Sequence, residues 1–484
     1  MLKYGLGIVL ILSTTFVCGL DLDAYQPSWN QLIQQPQSLQ AFLNGMPKGA
    51  DLHLHVSGAV TTEKLVSLAK NQHYCMDKNF HLSLPLDGKC SHAYFTDHFL
   101  QSPYNRQKTI QAWSMQNFHH QGSEDGKEHF FETFDKFGVL TSKNWPEIIA
   151  DVVDKAHDHH VQYLELMLSM HGSKPSIGFS AQHHTIGDVL KNPACHQYIQ
   201  ENVKYFRGLK KEVQSHTPWL GEDVDVSWIL EIRRNQTFDH FWVDAVMVFA
   251  IANRVHDIVA VNMVQPEYTG YAKTDYLKQM QFLNLLSRYY PNVKLVLHAG
   301  EVPPQLAKTD VRDHMKMAID YLQPKRIGHG SDILFENDAE KILASMEKKN
   351  IAVEINLTSN DQILGIKGEQ HPLKNYLQAQ VPVVISSDDP GVSRNNLSHE
   401  YYRAVTEQKL ALNEVIQANR NSLTYSLLKG QSLWENPKLA MPVKDCKVLN
   451  SVSCLRYVSQ NSKAYHQWLL EQELDHYFSQ LIVH

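Results

Sequence analysis

The sequence predicts an α/β chain built as a (β/α)8 TIM barrel, with an N-terminal helical arm and a small Cys-containing insertion. Two observations predict it. Eight apolar, β-rich runs, at 50–55, 161–168, 226–231, 258–264, 293–298, 326–329, 352–356 and 381–386, are separated by stretches long enough for helices, such as 277–289 and 339–349. Four of five short stretches that carry ligand-type side chains end such a run, and in a barrel the C-terminal strand ends are where reacting groups gather. A doubly wound open sheet is the competing architecture, but no Gly-x-Gly-x-x-Gly follows an early strand.

In chain order, the 484 residues begin with one positive charge in Met1-Leu2-Lys3-Tyr4, an apolar stretch from Gly5 to Val17 and small residues around Gly19. This is the pattern of a secretory signal peptide over 1–19. The stretch is interrupted by Ser13-Thr14-Thr15 and is shorter than the ~20 residues of a membrane span. The mature protein is therefore expected to be secreted or periplasmic, with no membrane segment after signal cleavage. Residues 20–47 form the arm, with Trp29, Leu32, Ile33, Leu39, Phe42 and Leu43 at mixed helical spacing. The barrel unit follows over 48–484. Its alternation breaks at 73–126, a stretch rich in His, Ser, Asn, Asp and aromatics that contains Cys75 and Cys90 and is read as an inserted lobe. Towards the end, 413–428 is expected to be a helix and 457–481 one long closing helix. In an oxidising compartment the close pairs Cys75/Cys90 and Cys446/Cys454 are expected to be disulfides, which leaves Cys195 free.

The strand ends hold the chemistry. In Asp51-Leu52-His53-Leu54-His55 a strand puts His53 and His55 on one face, since alternate side chains share a side. Among 27 histidines the same spacing recurs at His157 and His159, but there in a helical segment, where residues two apart face away from each other. His119-His120 and His183-His184 lie in polar loops. The other four stretches are His298-Ala299-Gly300-Glu301, Arg326-Ile327-Gly328-His329-Gly330, Glu354-Ile355-Asn356-Leu357-Thr358-Ser359-Asn360 and Ser386-Ser387-Asp388-Asp389-Pro390. A zinc hydrolase needs three or four nitrogen or oxygen ligands and a place for water, and His53, His55, His298 and Asp388 supply them. Glu301 follows His298 closely enough to move a proton without joining the ligands. His329, between Gly328 and Gly330, can orient a water or take its proton. Asp388 and Asp389 point apart, one towards a metal and the other towards substrate, and their mutual repulsion calls for a nearby cation.

The order His-x-His, His-Ala-Gly-Glu, Gly-His-Gly, Ser-Asn, Asp-Asp-Pro resembles the adenosine deaminase family, over a span from about Met46 to Lys429. The leader, the Cys-containing insertion and Val264-Gln265-Pro266-Glu267-Tyr268-Thr269-Gly270 resemble its secreted, growth-factor-related branch. The resemblance implies one Zn2+ per chain on His53, His55, His298 and Asp388. It also implies proton donation to the purine ring by Glu301, activation of the attacking water by His329, and a hydrogen bond to the ring from Asp389. Ser57, Gly58 and Gln265 fall among the implied substrate contacts. The implied reaction is hydrolytic deamination of adenosine or deoxyadenosine to inosine or deoxyinosine and ammonia, with a small-molecule purine nucleoside as partner.

Three departures touch the substrate side and leave the metal side intact. Ser57 stands where the family usually has an acid that contacts sugar, Gln265 where a glycine N–H usually meets the purine, and Asn356 where a proline is usual. They leave room for another 6-aminopurine, such as adenine, AMP or a 5′-modified adenosine. A non-catalytic binding or signalling protein on the same scaffold is the alternative from a different class. A net charge of −6 with no basic run argues against a nucleic-acid partner, and an oligomer is left open.

Overall fold

Eight parallel strands form the barrel in the computed structural model, which describes residues 20, 22–90, 93–118 and 125–480. The expected leader over 1–19 lies outside the described residues. The strands are β1 (Lys48–His55), β2 (Val161–Leu168), β3 (Asp225–Arg233), β4 (Ile258–Val264), β5 (Lys294–Leu295 and Leu297–Ala299), β6 (Arg326–His329), β7 (Ala352–Ile355) and β8 (Val383–Ile385). Neighbours in the chain are neighbours in the ring, and all pairings are parallel. β5 is broken at Val296, whose N–H still donates to the Val261 carbonyl at 3.1 Å and so keeps the ring continuous. Closure lies between β8 and β1, where Asp388 N–H donates to the His53 carbonyl at 3.0 Å and His55 N–H to the Asp388 carbonyl at 3.1 Å. Strands covered on both faces read as mostly apolar runs, and every residue of β2 is buried, Gln162 and Glu165 included.

Helices cover the outside of the ring. Phe238–Ala252 is the most deeply seated, with all residues from Phe241 to Ala252 buried. The arm consists of two helices, Leu22–Leu32 and Pro36–Gly45, and it packs on the far end of the chain. Tyr25 and Phe42 meet Phe478 with ring centroids 5.0 and 5.6 Å apart, and the Tyr477 hydroxyl donates to the Phe42 carbonyl. The closing helix expected as one piece is two, Val452–Ser459 and Ser462–Ser479. Asn461 makes the break. It takes an extended conformation, its amide donates back to the Tyr457 carbonyl, and its oxygen accepts from Gln431 N–H, bonds that compete with helix continuation.

The inserted lobe contains a three-stranded antiparallel sheet with Cys75–Met76 in the middle, and the Cys75–Cys90 disulfide ties it. A second disulfide, Cys446–Cys454, lies in a small apolar cluster with Leu433, Trp434 and Val458. Cys195 is a buried free thiol. Among the described residues no helix is long and apolar enough to cross a membrane.

Candidate active site

At the C-terminal mouth of the barrel β1 delivers His53 and His55, and β5 delivers His298. The outer nitrogen of each ring is engaged. His53 Nδ1 lies 2.6 Å from Glu354 Oε2, His55 Nδ1 2.8 Å from Glu231 Oε1, and His298 Nδ1 3.1 Å from Asn262 Oδ1. Carboxylates only accept, and Asn262 Oδ1 also receives the His298 backbone N–H at 3.0 Å, so it too is an acceptor. All three protons therefore sit on Nδ1, and the Nε2 lone pairs turn inward. His298 Nε2 is 3.1 Å from both His53 Nε2 and His55 Nε2, and Asp388 Oδ1 is 3.6 and 3.7 Å from the same two atoms.

Three lone pairs and a carboxylate oxygen converging on one point repel one another without a cation between them, so this donor set fits a single metal ion. Burial, together with the neighbouring His53, holds His298 well below the usual histidine range, which favours the neutral ligand form. Behind the ligands runs a buried chain of charge. Arg326 bonds Glu354 and, at 2.6 Å, Glu165; although burial opposes ionisation, Arg326 and His53 draw the Glu354 carboxyl down to about 2.

His329, at the end of β6, puts Nε2 3.7 Å from Asp388 Oδ2 and Nδ1 3.8 Å from Glu301 Oε1. It lies close enough to His53 and Asp388 to form a second possible ligand group with them. Glu301 stays outside both groups. Burial first, and then the charge of Asp388, push its carboxyl up to about 8. Burial and Asp388 likewise push Asp389 well above the carboxylate range, and Asp389 Oδ1 is buried with no hydrogen-bond partner among the described residues.

The backbone is strained at this rim. His329, Asp388 and Gln265 take φ of 68°, 65° and 83°, the left-handed region that ordinary side chains avoid. Gln265 thus takes a conformation that suits glycine, and its side-chain oxygen is taken up by Asn235 N–H at 3.0 Å. Ser57 and Gly58 lie on the short turn Val56–Ala59 after His55, with Ser57 half-buried. Gly58 is required by contact, because a Cβ there would lie 1.8 Å from Asp389 Oδ1.

His119 and His120 lie outside the described residues, His157 stacks on Trp219, and His184 bonds within its own turn. Sequence reasoning missed Glu231 and Asn262 and gave no role to Glu354, the three residues that orient the imidazoles. It also missed the clamp on the turn between His298 and Glu301. Arg234 Nη1 donates to the His298 carbonyl at 3.2 Å, and Glu267 Oε1 accepts Glu301 N–H at 2.7 Å. A signal was present, since each of the three ligand-holding residues is a polar side chain late in an apolar strand.

The sequence profile of the adenosine deaminase family matches residues 103–433. The chain belongs to the adenosine deaminase family. It is accordingly an aminohydrolase of the adenosine deaminase type. The adenosine deaminase of Aedes albopictus is 24% identical over 412 residues, covering 80% of this chain and 70% of that one. That of Aliivibrio fischeri is 30% identical over 176 residues, 36% of this chain and 47% of its own length. Among solved structures, the N6-methyl-AMP deaminase from Arabidopsis thaliana superposes with a TM-score of 0.54 at 20% identity, covering 83% of this chain and 96% of that one. A zinc-bound amidohydrolase from Burkhoderia ambifaria gives 0.56 at 16% identity, covering 92% and 95%. At these identities the two structures speak to the fold alone.

Proposed function

We propose that this family member is a zinc enzyme that converts adenosine or deoxyadenosine to inosine or deoxyinosine and ammonia, outside the cytoplasm. The observation that carries the reading is the convergence of three imidazole Nε2 lone pairs and the Asp388 carboxylate beside Glu301, whose buried carboxyl is pushed up to about 8. Zinc on His53, His55, His298 and Asp388 would lower the pKa of a water towards ~7 and so supply a nucleophile at neutral pH. Glu301 donates its proton to the ring nitrogen next to the amino-bearing carbon, which makes that carbon electrophilic. Asp389 keeps its own proton and hydrogen-bonds a second ring nitrogen, a use that suits its unpartnered Oδ1. His329, between Glu301 and Asp388, orients the attacking oxygen. Gly58 leaves room for Asp389, Ser57 offers a hydroxyl to the sugar, and the strained Gln265 backbone borders the purine. Export is supported by the leader pattern over 1–19 and by the two disulfides.

Ser57 favours a second reading, a 6-aminopurine nucleotide. An acid at that position would repel a phosphate, and a serine does not. Solved Arabidopsis relatives of the same fold are described as complexes with GMP and with IMP. The test is kcat/KM for adenosine, deoxyadenosine, 5′-deoxyadenosine, AMP and adenine in the wild type and in Ser57→Asp. Turnover of a nucleoside is expected, with AMP penalised more heavily in Ser57→Asp. An unchanged ranking removes Ser57 from the sugar site, and activity on free adenine alone overturns the nucleoside reading.

A further inference from the structure

Beneath His329 lies a buried chain of side chains that the proposed reaction does not use. It begins at His371, 2% exposed, just before the helix Leu373–Gln378. The backbone N–H of Leu373 donates to His371 Nδ1 at 3.2 Å. A nitrogen that accepts carries no proton, so His371 is neutral with its hydrogen on Nε2. Burial, and then the charge of Arg403, agree with this by drawing His371 down to about 3. His371 Nε2 lies 3.0 Å from Asn360 Oδ1 and donates to it. The other end of that amide, Nδ2, is 3.0 Å from His329 Nδ1 and therefore donates in turn. Every role follows from the one before it, starting from a backbone N–H whose direction cannot be reversed. Asn356 does not compete, because its Nδ2 is 3.5 Å from both nitrogens of His329 and favours neither.

We infer that His371 is a positioning residue which, through Asn360, fixes His329 in the tautomer with hydrogen on Nε2, so that His329 presents a donor and not a lone pair to the attacking oxygen. The inference rests on the proposed place of His329 at that oxygen. Of the two roles the residue type allows, orienting a water or taking its proton, the relay selects the first. The atom it leaves protonated is the one 3.7 Å from Asp388 Oδ2.

The test is long-range nitrogen–proton NMR on zinc-loaded, 15N-histidine-labelled protein, with His329 assigned by its loss in His329→Gln. Both His329 and His371 should show a protonated Nε2 and a bare Nδ1. In His371→Leu the single-tautomer pattern of His329 should be lost. His371→Gln, whose amide can still donate to Asn360, should restore it. Kinetics should follow, with kcat falling about 10–100-fold in His371→Leu at unchanged zinc content and recovering in His371→Gln, a cost typical of groups that orient an active-site ring. KM should hold steady, because substrate contacts are untouched. A wild-type His329 protonated at Nδ1 overturns the inference, as does wild-type kcat in His371→Leu. Should His371→Leu fail to fold, Asn360→Asp replaces it. Its carboxylate cannot donate to Nδ1, so the His329 pattern must change, and an unchanged pattern overturns the relay. A wild-type protein that turns over no purine defeats the proposed reaction instead, while the NMR pattern still decides the relay.

Discussion

The Glu301 carboxyl, raised to about 8 by burial and by Asp388, keeps a proton that a glutamate in water gives up near 4.5. Between those two pH values the unfolded chain binds fewer protons than the folded one, so this group's contribution makes stability fall as pH rises through the window. In metal-free protein, Glu301→Gln should therefore gain Tm relative to wild type as pH goes from 5 to 8. The same substitution should retain one metal per chain and lose about 10²–10⁴-fold in kcat, the usual worth of a proton donor. Metal analysis alongside kinetics checks it, and metal lost from Glu301→Gln would make Glu301 a ligand. Glu354 is a different kind of carboxylate. It is fully ionised between Arg326 and His53, and it fixes the His53 proton on Nδ1. Glu354→Gln should weaken metal affinity by about 10–100-fold, measured by competition with a chelator. Removal of the proposed fourth ligand, in Asp388→Ala, should abolish binding at the same metal concentrations.

Strand ends and turns determine whether these residues meet. His53, His55, His298 and His329 were legible as ligand-type residues because each ends an apolar run, and a barrel gathers such ends on one rim. Glu231, Asn262 and Glu354 occupy equivalent late positions on β3, β4 and β7, but nothing in the chain says which ring each one meets. That depends on the register between strands up to 301 residues apart, as for His53 and Glu354. The turn Val56–Ala59 shows the same limit. Gly58, one of the implied substrate contacts, lies so close to Asp389 that no space is left for a Cβ. Gly58→Ala should keep the fold and the metal and lower kcat/KM by about 100-fold, since displacing a positioned group by roughly 1 Å costs that much. Near wild-type kcat/KM in Gly58→Ala would show that Asp389 moves freely.

On the scale of the whole molecule, the ring closes through the same residue that completes the donor set: Asp388 gives its backbone N–H to β1 and its backbone carbonyl to His55 N–H. Site and fold are for this reason expected to fail together on heating, and bound metal should raise Tm. The lobe behaves as a satellite tied by Cys75–Cys90 across 15 residues. Replacing both cysteines by serine should cost about 3 kcal/mol by the loop-entropy estimate, confined to the lobe and visible as faster proteolysis there at unchanged barrel Tm. Non-reducing peptide mapping should recover Cys75–Cys90 and Cys446–Cys454 as pairs and Cys195 as a thiol. The barrel, the four candidate ligands and the positions of Glu301, His329 and Asp389 can be read along the chain, because strand period, apolar runs and residue type are local properties. Which oxygen fixes each imidazole proton, how Arg234 and Glu267 clamp the turn before Glu301, and that His371 reaches His329 through Asn360 emerge only from packing. Hydrogen-bond direction belongs to pairs of groups brought together by packing, and no single stretch of sequence carries it.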